Sequence, residues 1–345
     1  MLIIVEETKV RTTCGSGWFK NEGHIHSDKE MFTVRKDIPP LNAKQVQPDL
    51  ENLLIAIPNL IDRDWPPAYS TIPDGQILFY TRLSLVRNTY ETLMWLLVES
   101  TQDPRRDNLF ISASPLVRTL FEELIALIFI FHDLPSLNEA FRLTGYNEVI
   151  RQRNHALKYH KNDPKWESEI ARLDNWVVKL ENTMPVPPAL IGKSTNYWPT
   201  PGSTLKEIKK KYPNSSSRDF VEYLNSWMYR SLSADSHLSY QGLIRRGSFF
   251  AGKELRKHFG EEKARENLKK TREAYRMEMI WTTFTLLLAI CSEVEFHFSF
   301  GRLGKILWLW ESFVGTSDLS REFYDRRYKV ILNGREVPPL IGFSK

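Results

Sequence analysis

Apolar positions along this chain recur mostly at helical spacing. They fall every three or four residues over Ile77–Glu99, Ser114–Asp133, Leu137–His160 and Trp166–Glu181. The same period returns over Ser216–Arg246, Ala274–His297 and Arg302–Phe313. In the second of these stretches Ser114 reads as a cap and Pro115 as the first helical position. Two stretches, Ser114–Asp133 and Ala274–His297, are apolar on nearly every face, which predicts the innermost helices. The uncharged run Met279–Ser292 has fourteen residues. A membrane span needs about 20, so a buried helix is expected and no membrane anchor.

The rest of the chain is punctuated differently. Leu2–Val5 and Met31–Arg35 read as two short strands around a turn-rich loop. Seven prolines between Pro39 and Pro73 predict a connector with a helix over Asp49–Ile57 only. Residues 184–203 form a Pro/Gly/Ser-rich excursion, expected to be flexible, and Thr204–Lys211 a short basic helix. Near the end, Tyr328–Val337 carries a β-branched run and then Asn333-Gly334, a hairpin signal. A lone hairpin is marginal in water, so the two ends are expected to share a sheet. The predicted architecture is therefore mainly α: a multi-helix bundle over residues 74–327 with a small terminal β-sheet or hairpin. In it, residues 328–345 pack on the irregular segment and connector of residues 1–73. No repeat period is present.

Composition adds compartment and charge. The 345 residues are 42% hydrophobic and 26% charged, ordinary for a soluble globular protein, and ten Trp with nineteen Phe predict an aromatic-rich core. Two cysteines, Cys14 and Cys291, exclude a disulfide framework, and a reducing cytoplasm is the expected location. The opening MLIIVEETKV is too short an apolar run for a signal peptide. Net charge is +5, and it is unevenly placed: Arg245–Arg276 holds eleven Lys and Arg against five Glu. One reading is a surface for phosphates, contacted through Arg245, Arg246, Lys253, Arg256 and Lys257. The other, which weighs more, is a solvated helix face laced with Glu–Lys pairs.

Candidate chemistry is sparse. Phosphate-cradling glycine loops, HExxH, paired CxxC and a nucleophile-elbow serine are all absent from the sequence. Cys14-Gly15-Ser16-Gly17 reads as a turn, and His24 and His26 as loop residues. His155 and His160, five apart on a helix, point to different faces and make a poor metal pair. No metal and no cofactor is expected.

What remains is Arg-to-His spacing. Arg153…His160 and Arg230…His237 each put a guanidinium and an imidazole seven positions apart, on nearly one helix face. The second pair lies on Ser216–Arg246, read as the helix around which the rest of the chain is organised. Ser216 or Ser217 should cap it, with Asp219 in the first turn. Arg230, Ser233, His237 and Gln241 share one stripe, while Phe220, Leu224, Trp227, Met228 and Ser231 can face a core. Tyr229 and Tyr240 can frame a pocket. On Ser114–Asp133, Arg118 and Glu122 stand four apart with Glu123 next, and buried charges of this kind need partners. Such a set suits metal-independent RNA cleavage: the imidazole moves the 2′-hydroxyl proton, the guanidinium holds the phosphate, and Ser233 and Glu122 orient them. The competing reading is a hydrogen-bonded polar core in which His237 satisfies Glu122 or Ser233.

The succession LVRTLFEELIAL, FRLTGYNEVIRQRNHALKYH and YRSLSADSHLSYQG resembles a widespread bacterial helical family known only as a domain of unknown function. Its marks are a helical Arg-x-x-x-Glu, here Arg118 and Glu122, and a later Tyr-x-x-x-Ser-x-x-x-His, here Tyr229, Ser233 and His237. The likeness runs over roughly residues 75–250 and implies fold without activity. A looser similarity, carried by the Arg-to-His spacing, is to the HEPN helical ribonucleases of toxin and defence systems. Those place Asn, Asp or His after the Arg, where this chain has Ser231. The HEPN likeness implies RNA as partner and self-association into a homodimer. The alternative function is a non-catalytic scaffold or sensor whose basic segment meets a protein partner.

Overall fold

The computed structural model describes residues 43–183, 201–226 and 260–332, except positions 73, 101, 102, 104, 105, 107 and 214, together with residues 232, 256 and 257. Every regular element among these residues is helical. In chain order they are α1 (Ala43–Arg63), α2 (Gly75–Met94), α3 (Ala113–Ile130), α4 (Leu134–His160) and α5 (Glu167–Thr183). After these come α6 (Pro201–Lys211), α7 (Ser216–Leu224), α8 (Glu261–Phe298), α9 (Leu303–Val314) and α10 (Asp318–Phe323). Wider π turns follow α2, at Trp95–Glu99, and α10, at Tyr324–Tyr328.

Contacts divide the chain into two compact units. One takes Met1–Leu60, Leu83–Phe121 and Ser231–Val337; the other takes Ile61–Arg82, Glu122–Arg230 and Pro338–Lys345.

The first unit is built on α8. At 38 residues it is about 57 Å long at 1.5 Å per residue. The part of the basic stretch from Glu261 to Arg276 and the apolar stretch thus belong to one helix, since no Gly or Pro interrupts Glu261–Phe298. Its first half is solvated and carries Glu266–Lys270 at 2.7 Å and Glu261–Arg265 at 3.4 Å, as the Glu–Lys reading expected. Its second half is buried from Met279 to Glu295 save for a half-buried Trp281. By length and composition α8 is the one described helix able to cross a membrane, yet 89% of that window is covered by other parts of the protein. It is a core helix, as the fourteen-residue run implied. Trp281 meets Phe313 of α9 edge-on at 5.5 Å, and Phe284 stacks on Phe313 at 6.3 Å. The helix ends at Ser299, whose φ of 56° is left-handed. There the Glu295 carboxylate accepts the backbone N–H groups of Phe300 (3.1 Å) and Arg302 (2.9 Å).

Two expectations for the ends are corrected. Helix α1 runs from Ala43 to Arg63 through Pro48 and Pro58, far beyond Asp49–Ile57. Val46, Leu50, Leu53, Leu54, Ile57 and Leu60 are all buried at helical spacing. Burying six such side chains, at about 1.5–3 kcal/mol each, outweighs the roughly 3 kcal/mol an interior proline costs. At the other end Lys329–Leu332 is a helical turn, so the first arm of the expected hairpin does not form a strand. Val330 and Ile331 favour strands only weakly out of context, and here Ile331 and Leu332 are buried in the unit that holds α8. No strand occurs among the described residues. Leu2–Val5, Met31–Arg35 and the second arm lie outside them.

In the second unit α4 and α5 form a helical hairpin. Tyr146, Val149, Ala156, Leu173 and Val177 make its core, with Ile150, Trp166, Ile170 and Leu180 packed against it. Asp133 caps α4 by accepting the Ser136 N–H, three residues earlier than the expected start. Pro201 opens α6, so the last residues of the Pro-rich excursion are helical, while residues 184–200 lie outside the description. Helix α3, expected among the innermost, is buried at Val117, Leu120, Phe121, Leu124, Ile125 and Leu127–Ile130.

Candidate functional site

Ionisable groups stand out on α3 because the helix is otherwise apolar. Arg118, Glu122 and Glu123 are each half-buried, and Arg118 and Glu122 lie one turn apart. Glu123 is accounted for: Arg82 of α2 donates to its Oε2 at 2.6 Å. Arg82 is itself buried, with its guanidinium 4.8 Å from the centre of the Phe141 ring. A cation so enclosed needs the carboxylate, which makes Glu123 a structural partner.

The stretch in which sequence spacing puts the Arg230/His237 stripe opens with α7, described as Ser216–Leu224. Ser215 caps it, accepting the Ser217 N–H at 3.1 Å, one position ahead of the expected Ser216 or Ser217. Phe220 and Leu224 are buried, as their place in the core stripe required, and Glu222 receives Lys209 of α6 at 2.8 Å. Arg230, Ser233 and His237 lie outside the described residues, as do Trp227, Met228, Ser231, Arg245, Arg246 and Lys253. Leu232 within that stretch is helical and buried; Arg256 and Lys257 are exposed.

The rival pair Arg153/His160 is fully described. Arg153 hydrogen-bonds Asp174 across the α4–α5 hairpin, and His160 stacks on Trp166 with ring centres 3.9 Å apart and planes 5° apart. His155 and His160, expected on different faces, have ring centres 6.2 Å apart. Each is turned to an aromatic neighbour, His155 to Tyr159 at 4.7 Å. No group of three metal-ligating side chains occurs among the described residues.

One polar cluster escaped the sequence reading. Glu293 of α8, fully buried, accepts from Arg327 Nη2 at 2.7 Å and from the Tyr328 hydroxyl at 3.0 Å. Burial works against the Arg327 charge, but the Glu293 carboxylate more than compensates and holds its pKa above the usual arginine value. Tyr328 is pushed well up by burial and by the same carboxylate. Beside them Trp310 stacks on Tyr328 at 4.9 Å and donates its indole N–H to Ser292 at 2.9 Å. Each carboxylate oxygen of Glu293 meets a donor, so the cluster ties the π turn to α8. The one signal in the sequence was Glu293 closing an apolar run.

Residues 105–254 match the family described as "Family of unknown function (DUF5677)". This bears out the resemblance to a helical family without assigned activity. The DUF5677 segment starts about thirty residues later than the motif reading placed it. It contains Arg118, Glu122, Arg230, Ser233 and His237, and stops before Arg256, Lys257 and the Glu293–Arg327 pair. No curated protein and no solved structure matches the chain.

Proposed function

We propose that the DUF5677 segment of this protein is a metal-independent endoribonuclease, with Arg230 and His237 as its working pair. The observation that carries the reading is their spacing in the sequence, seven positions apart, which on a helix brings a guanidinium and an imidazole to nearly one face. His237 takes the proton of a ribose 2′-hydroxyl, and the freed O2′ attacks the adjacent phosphorus. The O2′–P bond forms, the P–O5′ bond breaks, and the departing O5′ takes up a proton. The products are a 2′,3′-cyclic phosphate and a 5′-hydroxyl. Arg230 binds the non-bridging oxygens, where charge builds up in the transition state. Ser233 orients the imidazole from between the two, and Glu122 orients the guanidinium of Arg230. Arg118 completes the charge set on α3. Histidine is suited to this exchange because its ordinary pKa lies near neutrality.

The experiment is incubation of full-length protein with mixed-sequence single-stranded RNA in EDTA, beside folded Arg230→Ala and His237→Ala variants. Loss of cleavage by about 100-fold or more in each is expected. Equal cleavage by all three proteins, or none by any, overturns the reading.

A second reading has its own observation. Arg256 and Lys257 are exposed just ahead of α8. A scaffold whose basic segment, with Arg245, Arg246 and Lys253, meets a protein partner would lose function on their charge reversal and keep it in a folded His237→Ala variant.

A further inference from the structure

The α4–α5 turn carries a surface that no role so far has used. Residues 151–166 hold five Lys and Arg against a single carboxylate, Asp163. Asp163 is occupied locally, accepting the backbone N–H of Lys165 at 3.0 Å as the cap of the short turn Pro164–Trp166. Arg153 is neutralised by Asp174. Among the described residues Lys158, Lys161 and Lys165 join no ion pair, and all three are exposed. They project from one end of the hairpin, beyond the core of Val149, Ala156, Leu173 and Val177.

Aromatic rings are interleaved with these ammonium groups. Tyr159 is 60% exposed, an unusual position for a tyrosine ring on a helix whose other face is packed. The Lys158 ammonium sits 4.9 Å from its centre, and the His160–Trp166 stack lies one position on. A ring that stays exposed with a lysine ammonium over it and His155 at 4.7 Å, among further lysines, is a combination that binds single-stranded nucleic acid: bases stack on the exposed part of the ring, and phosphates meet the lysines. A duplex keeps its bases stacked on each other and cannot use Tyr159.

We infer that Tyr159, with Lys158, Lys161 and Lys165, forms a docking surface for single-stranded RNA on the second unit. The choice of RNA over DNA rests on the proposed cleavage reaction; the single-strand preference rests on the surface alone.

The test is fluorescence anisotropy of a labelled 20-nucleotide single-stranded RNA in EDTA, using full-length His237→Ala protein so that cleavage cannot intervene. Tyr159→Ala should weaken binding by about fivefold to a hundredfold, the range of one lost base stack. The triple change Lys158→Ala, Lys161→Ala and Lys165→Ala should reduce the slope of log K against log salt by about 2. Heparin, which has charge and no bases, and duplex RNA should both bind more weakly than the single strand. No binding by the parent, equal binding by the Tyr159→Ala protein, or equal affinity for heparin or duplex overturns the proposal. Binding that follows these expectations in a protein whose wild type cleaves nothing leaves this surface standing and removes the nuclease.

Discussion

At the scale of single residues, the two buried arginines are the most demanding features of the protein. Arg327 and Glu293 are each almost without solvent contact, so neither tolerates loss of the other. Arg327→Met is expected to lower stability by about 3–5 kcal/mol, because it leaves the carboxylate buried without its main donor. Replacing both residues by apolar ones of similar volume should recover most of that loss. Urea unfolding of the single and double variants measures this; a double variant no better than the single would show that the pair contributes more than mutual neutralisation. Cys291 gives a second residue-scale expectation. Burial, with Glu295 nearby, pushes its thiol up to about 12. A raised thiol pKa favours the neutral form, and the thiolate is the reactive species. In a Cys14→Ser background the native protein should therefore take up no thiol reagent between pH 7 and 9, and one equivalent once unfolded. Prompt labelling of the folded protein would contradict the burial.

At the scale of elements, helical periodicity was a good guide where the apolar stripe was long. The heptad-like Ile170, Leu173, Val177 and Leu180 lie in the α4–α5 core, and the all-apolar stretches of α3 and α8 are buried. Reading failed where a local signal conflicted with burial. Pro48 and Pro58 spoke against a helix that six buried side chains hold together, and Val330–Ile331 spoke for a strand where a helical turn packs. Thr144-Gly145 is by local propensity a weak pair for a helix interior, yet α4 runs straight through it. Gly145 is exposed, and an added Cβ there meets nothing within 4 Å. Gly145→Ala is accordingly expected to stabilise by about 0.5–1 kcal/mol, through the entropy that glycine loses in a helix interior. A lowered urea midpoint would mean that the glycine is needed for a close approach.

At the scale of the whole molecule, two units are drawn from interleaved stretches of chain, and function is argued for a segment of 150 residues, 105–254. The candidate pair was legible as spacing alone, since seven positions on a helix return to one face. The structural Arg153–Asp174 clamp was not legible, because Asp174 lies twenty-one residues away and only the hairpin brings it close. The Glu293–Arg327 pair was hidden for the same reason. Ion pairs between helices are set by packing, which periodicity does not encode.

The chemistry of the RNA ends tests the central claim most directly. Single-stranded RNA of defined sequence would be treated with wild-type protein in EDTA, and the new ends mapped by their response to polynucleotide kinase and phosphatase. A His237 that deprotonates the 2′-hydroxyl leaves 2′,3′-cyclic phosphates and 5′-hydroxyls, and these products disappear in His237→Ala. Intact RNA, or 5′-phosphates with 3′-hydroxyls, would contradict it.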